Sequence, residues 1–193
     1  MKKWWFVVAA VAALAMVAVP RAIRYRRADM EKFDLTMEVR ERATGSFVRL
    51  PNGVMHYELA GPATGQPVVL ICGFSTPYQV WDPTFDGLVA AGFRVLRYDH
   101  FGRGLSDRPE ARHDPEFFDK QLQDLLDALK LEDKVDLIGQ DMGGALAAAY
   151  ANRHPAHARK VVMVDPGYRT GYQIPWRLRL PFSRGYGLMT FMS

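Results

Sequence analysis

The stretch LIGQDMGG, residues 137–144, ends an apolar run and leads directly into ALAAAYA. One acid, Asp141, stands among small residues. The pattern is a strand, a turn flanked by Gly139, Gly143 and Gly144, and a helix built on Ala145, Ala147, Ala148 and Ala149. A side chain at the tip of such a strained strand-to-helix turn is pushed out of the sheet. It sits at a helix N-terminus, where the dipole favours negative charge. The strain demands small neighbours, which the glycines supply, and the alanines let the helix pack closely on the sheet. The backbone N–H of Met142 would point toward an oxyanion beside the tip. A carboxylate is already anionic at neutral pH, so at this tip it needs no base to attack an alkyl carbon.

The elements that must position this turn are legible on both sides of it. SFVRL and VMHYELA read as two strands joined through Pro51-Asn52-Gly53. PVVLI, after the Gly/Pro-rich GPATGQ, is a continuous apolar run, as expected for a strand buried on both faces, and FRVLRYD is another. Residues 117–132 carry Phe118, Leu122, Leu125, Leu126 and Leu129 at helical spacing. VDLIG then reads as a strand, ALAAAYANRH as a helix and KVVMVD as a further strand. Strands alternating with helices imply an α/β protein with a mostly parallel sheet and right-handed crossovers. The tail after VVMVDP is broken by Pro175 and Pro181 and carries no stop signal, so the expectation is of a C-terminally truncated domain.

Composition bounds the function. The chain has 193 residues, 49% hydrophobic and 24% charged, which suits one globular α/β domain. Six Lys/Arg against one Asp in residues 1–30 leave 19 basic against 20 acidic residues in the rest, so the net charge of +4 belongs to the N-terminal arm. Nothing suggests a nucleic-acid surface on the folded part. Cys72 is the single cysteine, which excludes an intrachain disulfide, and no Cys/His cluster has metal-ligand spacing, so neither metal nor cofactor is implied. Lys2 and Lys3 precede an uncharged run from Trp4 to Val19, and Arg21, Arg24, Arg26 and Arg27 follow it. This arrangement predicts an uncleaved signal anchor, a membrane-anchored localisation and the membrane as a partner, with a cleaved export signal as the alternative. Both flanks are basic, so the side of the membrane stays open, as does the oligomeric state. The expected organisation is an anchor helix and basic flank over 1–28, a polar, partly helical linker over 29–45, an incomplete core over 46–170 and the start of a lid over 171–193.

The elbow and its surroundings resemble the α/β-hydrolase superfamily. Residues 72–109, CGFSTPYQVWDPTFDGLVAAGFRVLRYDHFGRGLSDRP, resemble that family's oxyanion loop, first helix, next strand and the following D-x-x-G-x-G-x-S segment, and ANRHPAHARKVVMVDP resembles the helix and strand after the elbow. The resemblance covers about residues 46–170, with four motif segments in order. It implies Asp141 at the nucleophile position, the backbone N–H groups of Phe74 and Met142 as oxyanion donors, and Gly139 and Gly143 as elbow glycines. Most members carry Ser at the tip; Asp there is found in haloalkane dehalogenases and epoxide hydrolases. Those branches commonly place Trp after the nucleophile, where this chain has Met142, and GFSTPYQVWDPT resembles an esterase or lipase loop.

The expected function is therefore a hydrolase acting on an ester, epoxide or alkyl halide of a small apolar substrate through Asp141, inactive as these residues alone. Two alternatives stay open: a non-catalytic binding protein of the same fold, and a serine esterase or lipase relative whose nucleophile has become Asp. The family's second acid and late His follow the elbow, where only His154 and His157 stand, and these read as solvated surface residues. Asp165 reads as the start of the connection into a lid, Asp99 and Ser106 as supports of the loop around Gly102 and Gly104, and Cys72 as a small buried thiol. Trp81 and Trp176 read as packing or lid residues. FGRGLS lacks the Lys-Ser/Thr of a phosphate-binding loop.

Overall fold

The alternation of apolar runs becomes strands β1 (Ser46–Leu50), β2 (Gly53–Ala60), β3 (Pro67–Ile71), β4 (Arg94–Tyr98), β5 (Val135–Gln140) and β6 (Ala158–Val164). The computed structural model describes residues 3–28, 35–131 and 133–166. It divides into two units, Met1–Glu41 and Arg42–Ser193. In the larger unit the strands form one sheet in the order β1-β2-β4-β3-β5-β6. The β1–β2 hairpin closes at Leu50↔Gly53 around Pro51-Asn52, and β2 runs antiparallel to β4. The β3–β4, β3–β5 and β5–β6 pairs are parallel.

Helices cover both faces of this sheet, which is why β3 is apolar without interruption. Successive side chains on a strand point to opposite faces. Val69 and Ile71 accordingly enter one core with Leu122, Leu125, Leu126 and Leu146, while Val68 and Leu70 enter the other with Trp81 and Phe85. The first core lies under α4 (Pro115–Ala128) and α5 (Met142–Arg153), the second under α3 (Asp82–Ala90) and the short 3-10 helix Tyr78–Trp81. Trp81 is thus a packing residue. The helix expected over 117–132 begins two residues earlier, because Asp114 caps it by accepting the N–H of Phe117 at 3.0 Å and Pro115 starts it. It ends at Ala128, and Lys130 adopts a positive φ of 54° just beyond.

The smaller unit holds α1 (Lys3–Ala28) and α2 (Met37–Glu41). Among the described residues, no helix is long and apolar enough to cross a membrane. The expected membrane-anchored localisation is overturned by this finding, and the membrane as partner loses its support with it. The reason is extent. The uncharged run Trp4–Val19 would span about 24 Å as a helix, against a hydrocarbon core of about 30 Å. The rest of α1 carries Pro20 and the arginines. Residues 167–193, with Trp176 and the expected lid, lie outside the described residues.

Two local devices fix the parts of the fold that matter for the elbow. First, α5 approaches the sheet too closely for side chains at its start. A Cβ on Gly143 would lie 2.2 Å from the Ile71 carbonyl oxygen, and one on Gly139 would lie 2.1 Å from that of Gly143. Second, His100, 1% exposed just after β4, ties α4 to the end of β3. The Gln121 amide nitrogen donates to His100 Nδ1 at 2.7 Å, while the Gln121 oxygen accepts the Phe101 N–H at 2.8 Å. His100 Nε2 then donates to the Cys72 carbonyl at 3.2 Å. This network assigns one neutral tautomer, since a proton on Nδ1 would face the amide donor.

Two consequences are measurable. Gly143→Ala forces a methyl group against backbone that cannot move aside, and should destabilise the chain by about 3 kcal/mol in urea unfolding. Burial, with help from the nearby Arg103 charge, lowers the pKa of His100 from 6.5 to about 4. The unfolded chain therefore takes up a proton that the folded ring refuses. Stability should fall as pH drops from about 6.5 toward 4, by up to roughly 3 kcal/mol. His100→Gln should remove one proton's share of that slope from the pH dependence of the urea midpoint.

Candidate active site

The C-terminal ends of β3, β4 and β5 converge on one edge of the sheet, and each contributes the loop that follows it. Parallel strands connected by crossovers place their loops this way, and open α/β sheets bind ligands at that edge. β5 ends in the turn that carries Asp141. Its backbone has φ 51° and ψ −122°, in the region that L residues rarely enter. The turn is held on both sides: the Asp141 N–H donates to the Val164 carbonyl and the Asp141 carbonyl accepts the Gly144 N–H, each at 3.0 Å. The half-buried side chain does not cap α5. Instead, its Oδ2 accepts the backbone N–H of Phe74 at 3.2 Å.

Phe74 comes from the loop after β3. The structure therefore brings two of the sequence-predicted residues together directly, the tip acid and one expected donor. Met142, the other expected donor, is the first residue of α5, so its N–H is one of those left without an intrahelical partner. Its side chain is 3% exposed and packs into the core with Leu146 and Ala147. Cys72 is fully buried two residues before Phe74. Burial, reinforced by the negative charge of Asp99, pushes its thiol up to about 12, which leaves it a poor nucleophile.

The loop after β4 is built around Asp99. Its Oδ1 accepts the Tyr78 N–H at 2.9 Å, and its Oδ2 accepts the Leu105 N–H at 3.0 Å. Its Oδ2 also meets His56 Nδ1 at 2.8 Å, and His56 Nε2 faces the Thr44 carbonyl at 2.8 Å. Burial pushes the Asp99 carboxyl up, but His56 and the two N–H groups outweigh it and hold the group below the usual carboxylate range. Ser106 donates its hydroxyl to the Asp99 carbonyl at 2.7 Å and accepts the His56 N–H at 2.9 Å. Both residues thus support the loop.

Sequence reasoning passed over Arg103 on that same loop. Its Nε donates to the Phe74 carbonyl at 2.5 Å, and its guanidinium carbon lies 4.7 Å from the Phe74 ring centroid. The available signal was its place: an arginine between two glycines, in the loop after a strand that ends at the edge where open α/β sheets bind ligands.

The histidines after the elbow stand away from it. His154 caps the far end of α5, about 18 Å along the helix from its start. Contrary to expectation, neither is a solvated surface residue. His154 Nε2 pairs with Asp119 at 3.0 Å, and His157 lies between the Tyr150 hydroxyl at 2.9 Å and the Leu131 carbonyl at 3.0 Å. RHPAHARK is polar, but the Tyr150 ring lies 4.4 Å from that of His154, tilted by 35°, and draws the segment onto the domain. Asp165 follows β6 with a positive φ of 44° and is exposed. Among the described residues, no group of three or more His, Cys, Asp or Glu could hold a metal ion.

Comparison with known proteins agrees with this geometry. Residues 66–186 match the family model described as alpha/beta hydrolase fold. The non-heme chloroperoxidase of Streptomyces lividans is 34% identical over 110 residues, 56% of this chain and 40% of that protein. The 2-hydroxy-6-oxononadienedioate/2-hydroxy-6-oxononatrienedioate hydrolase of Paraburkholderia xenovorans is 34% identical over 137 residues, 67% of this chain and 47% of that protein. Among solved structures, a hydrolase from Pseudomonas aeruginosa is similar with a TM-score of 0.64 at 26% identity, covering 72% of this chain and 52% of that one. The chain thus spans about half the length of the relatives it matches. With that family's model matched across most of the sheet and through the elbow, this chain belongs to the alpha/beta hydrolase fold family.

Proposed function

We propose that the protein is a hydrolase of small apolar molecules that uses the Asp141 carboxylate as its nucleophile. The observation that carries this reading is the hydrogen bond from the Phe74 N–H to Asp141 Oδ2. It holds one carboxylate oxygen in the oxyanion site and leaves Oδ1 as the attacking atom. With an alkyl halide, Oδ1 forms a bond to carbon as the carbon–halogen bond breaks and halide leaves with the electron pair. With an epoxide, a ring C–O bond opens and the alkoxide takes a proton from water. Either path gives an alkyl ester on Asp141. Water attack at the ester carbonyl would then form a tetrahedral oxyanion facing the Phe74 and Met142 N–H groups, and its collapse would release the alcohol.

The capture half of this reaction has its groups among the described residues; the base for the water step does not. His56 and His100 are buried with both ring nitrogens engaged, His113 stacks on Phe117 at 4.9 Å, and His154 and His157 are bonded at the other end of α5. An ester on Asp141 should therefore accumulate rather than turn over. A second reading, a serine esterase framework with its tip replaced, is favoured by the burial of Met142. A side chain directed into the core at 142 gives a departing halide nothing to hold it, so epoxides and esters fit better than halides.

Mass spectrometry separates the two. Incubation of the 193-residue chain with an apolar epoxide should add the reagent's mass to the peptide that holds Asp141, and Asp141→Asn should abolish the adduct. No adduct on the wild-type chain, together with esterase activity in Asp141→Ser, would leave the replaced-serine reading standing instead.

A further inference from the structure

Phe74 is gripped at three points. Its N–H is on the Asp141 carboxylate, its carbonyl is on Arg103 Nε, and its ring lies against the Arg103 guanidinium. Two of the three belong to Arg103. Besides these three points, the Phe74 ring packs against the core and His100 holds the Cys72 carbonyl at the loop's start, but Ser75 is exposed and the buried Thr76 hydroxyl has no hydrogen-bond partner. The next firm anchor is the Tyr78 N–H on Asp99 Oδ1 at 2.9 Å. Arg103 itself sits on a rigid turn. Its N–H donates to the His100 carbonyl at 2.9 Å, its carbonyl accepts the Ser106 N–H at 3.1 Å, and its terminal nitrogen Nη1 donates to the Gly102 carbonyl at 2.9 Å.

From this we infer that Arg103 is a positioning residue for the oxyanion site. It transmits the rigidity of the Asp99 loop to the Phe74 backbone, so that the Phe74 N–H meets the reacting carboxylate before any substrate arrives. The inference rests on the proposed nucleophile for its kinetic consequence, while the positioning itself is a property of the loop. A guanidinium suits the task where an ammonium does not, because it combines a directed Nε donor with a planar face that lies on an aromatic ring. Donors aimed in advance at a developing oxyanion act without reorganisation, and a shift of about 1 Å in such a group costs about a hundredfold in rate.

The test follows the Phe74 amide and the covalent capture of an apolar epoxide in Arg103→Ala, Arg103→Lys and Arg103→Gln. In Arg103→Ala, hydrogen exchange at the Phe74 amide should accelerate at least about tenfold, with β3 and β5 amides unchanged. Adduct formation at saturating epoxide should slow by about ten- to a hundredfold, with the half-saturating concentration within about twofold of wild type. Arg103→Lys should recover only part of both effects. Unchanged Phe74 exchange in the alanine variant overturns the inference, and should that variant fail to fold, unchanged exchange in both the lysine and glutamine variants does the same. If wild type forms no adduct, the nucleophile reading fails, yet Phe74 exchange still decides the role of Arg103. If wild type and Arg103→Ala form adduct equally fast, the nucleophile reading survives and Arg103 is not a positioning residue.

Discussion

The backbone of Asp141 occupies a conformation that costs a non-glycine residue about 1–3 kcal/mol, and the surrounding architecture exists to hold it there. The turn is pinned to β6 through Val164 and to the first turn of α5 through Gly144. It can form only because α5 starts hard against the ends of β3 and β5, where Gly139 and Gly143 leave no room for a side chain. That approach in turn requires the two apolar layers that clamp β3 between helices. Strain at the tip, helix contact and double-sided burial are three aspects of one constraint.

A second chain of dependence reaches the same point from the opposite side. Gln121 on α4 fixes His100, His100 holds the Cys72 carbonyl, and Asp99 organises the loop on which Arg103 stands. These groups are polar and nearly all buried, so each must find a partner, and the partners specify the loop paths that apolar packing alone would leave free. The loop after β3 that carries Phe74 lies where this polar framework meets the strained turn. There the Phe74 N–H donates to the Asp141 carboxylate.

What was legible in the sequence follows from which forces are periodic. The strands and the principal helices announce themselves because burial on one or both faces imposes a repeat, and LIGQDMGG announces the elbow because glycine is the residue that close backbone approach tolerates. The donor role expected of Phe74 came from resemblance; what the structure adds is the hydrogen bond from its N–H to the Asp141 carboxylate. Arg103 and the Gln121–His100 relay were not legible. Their partners are 21 to 29 positions away in sequence and no repeat connects them. The condition of His154 and His157 was misread for a related reason: composition describes a segment's average polarity, whereas Tyr150, a single aromatic, decides where its rings pack. The membrane expectation weighed the character of the N-terminal run above its length.

The strain at the tip is borne by residues other than the one that occupies it. Gly139, Gly143 and Gly144, the Val164 carbonyl and the core-directed Met142 make the turn, and the Asp141 side chain contributes to none of those contacts. The turn is therefore indifferent to the side chain it presents. The backbone bonds and close approaches that make the turn do not involve the side chain at 141. The identity of the tip side chain is thus set independently of the turn that presents it, which makes the tip an interchangeable part within a fixed mount.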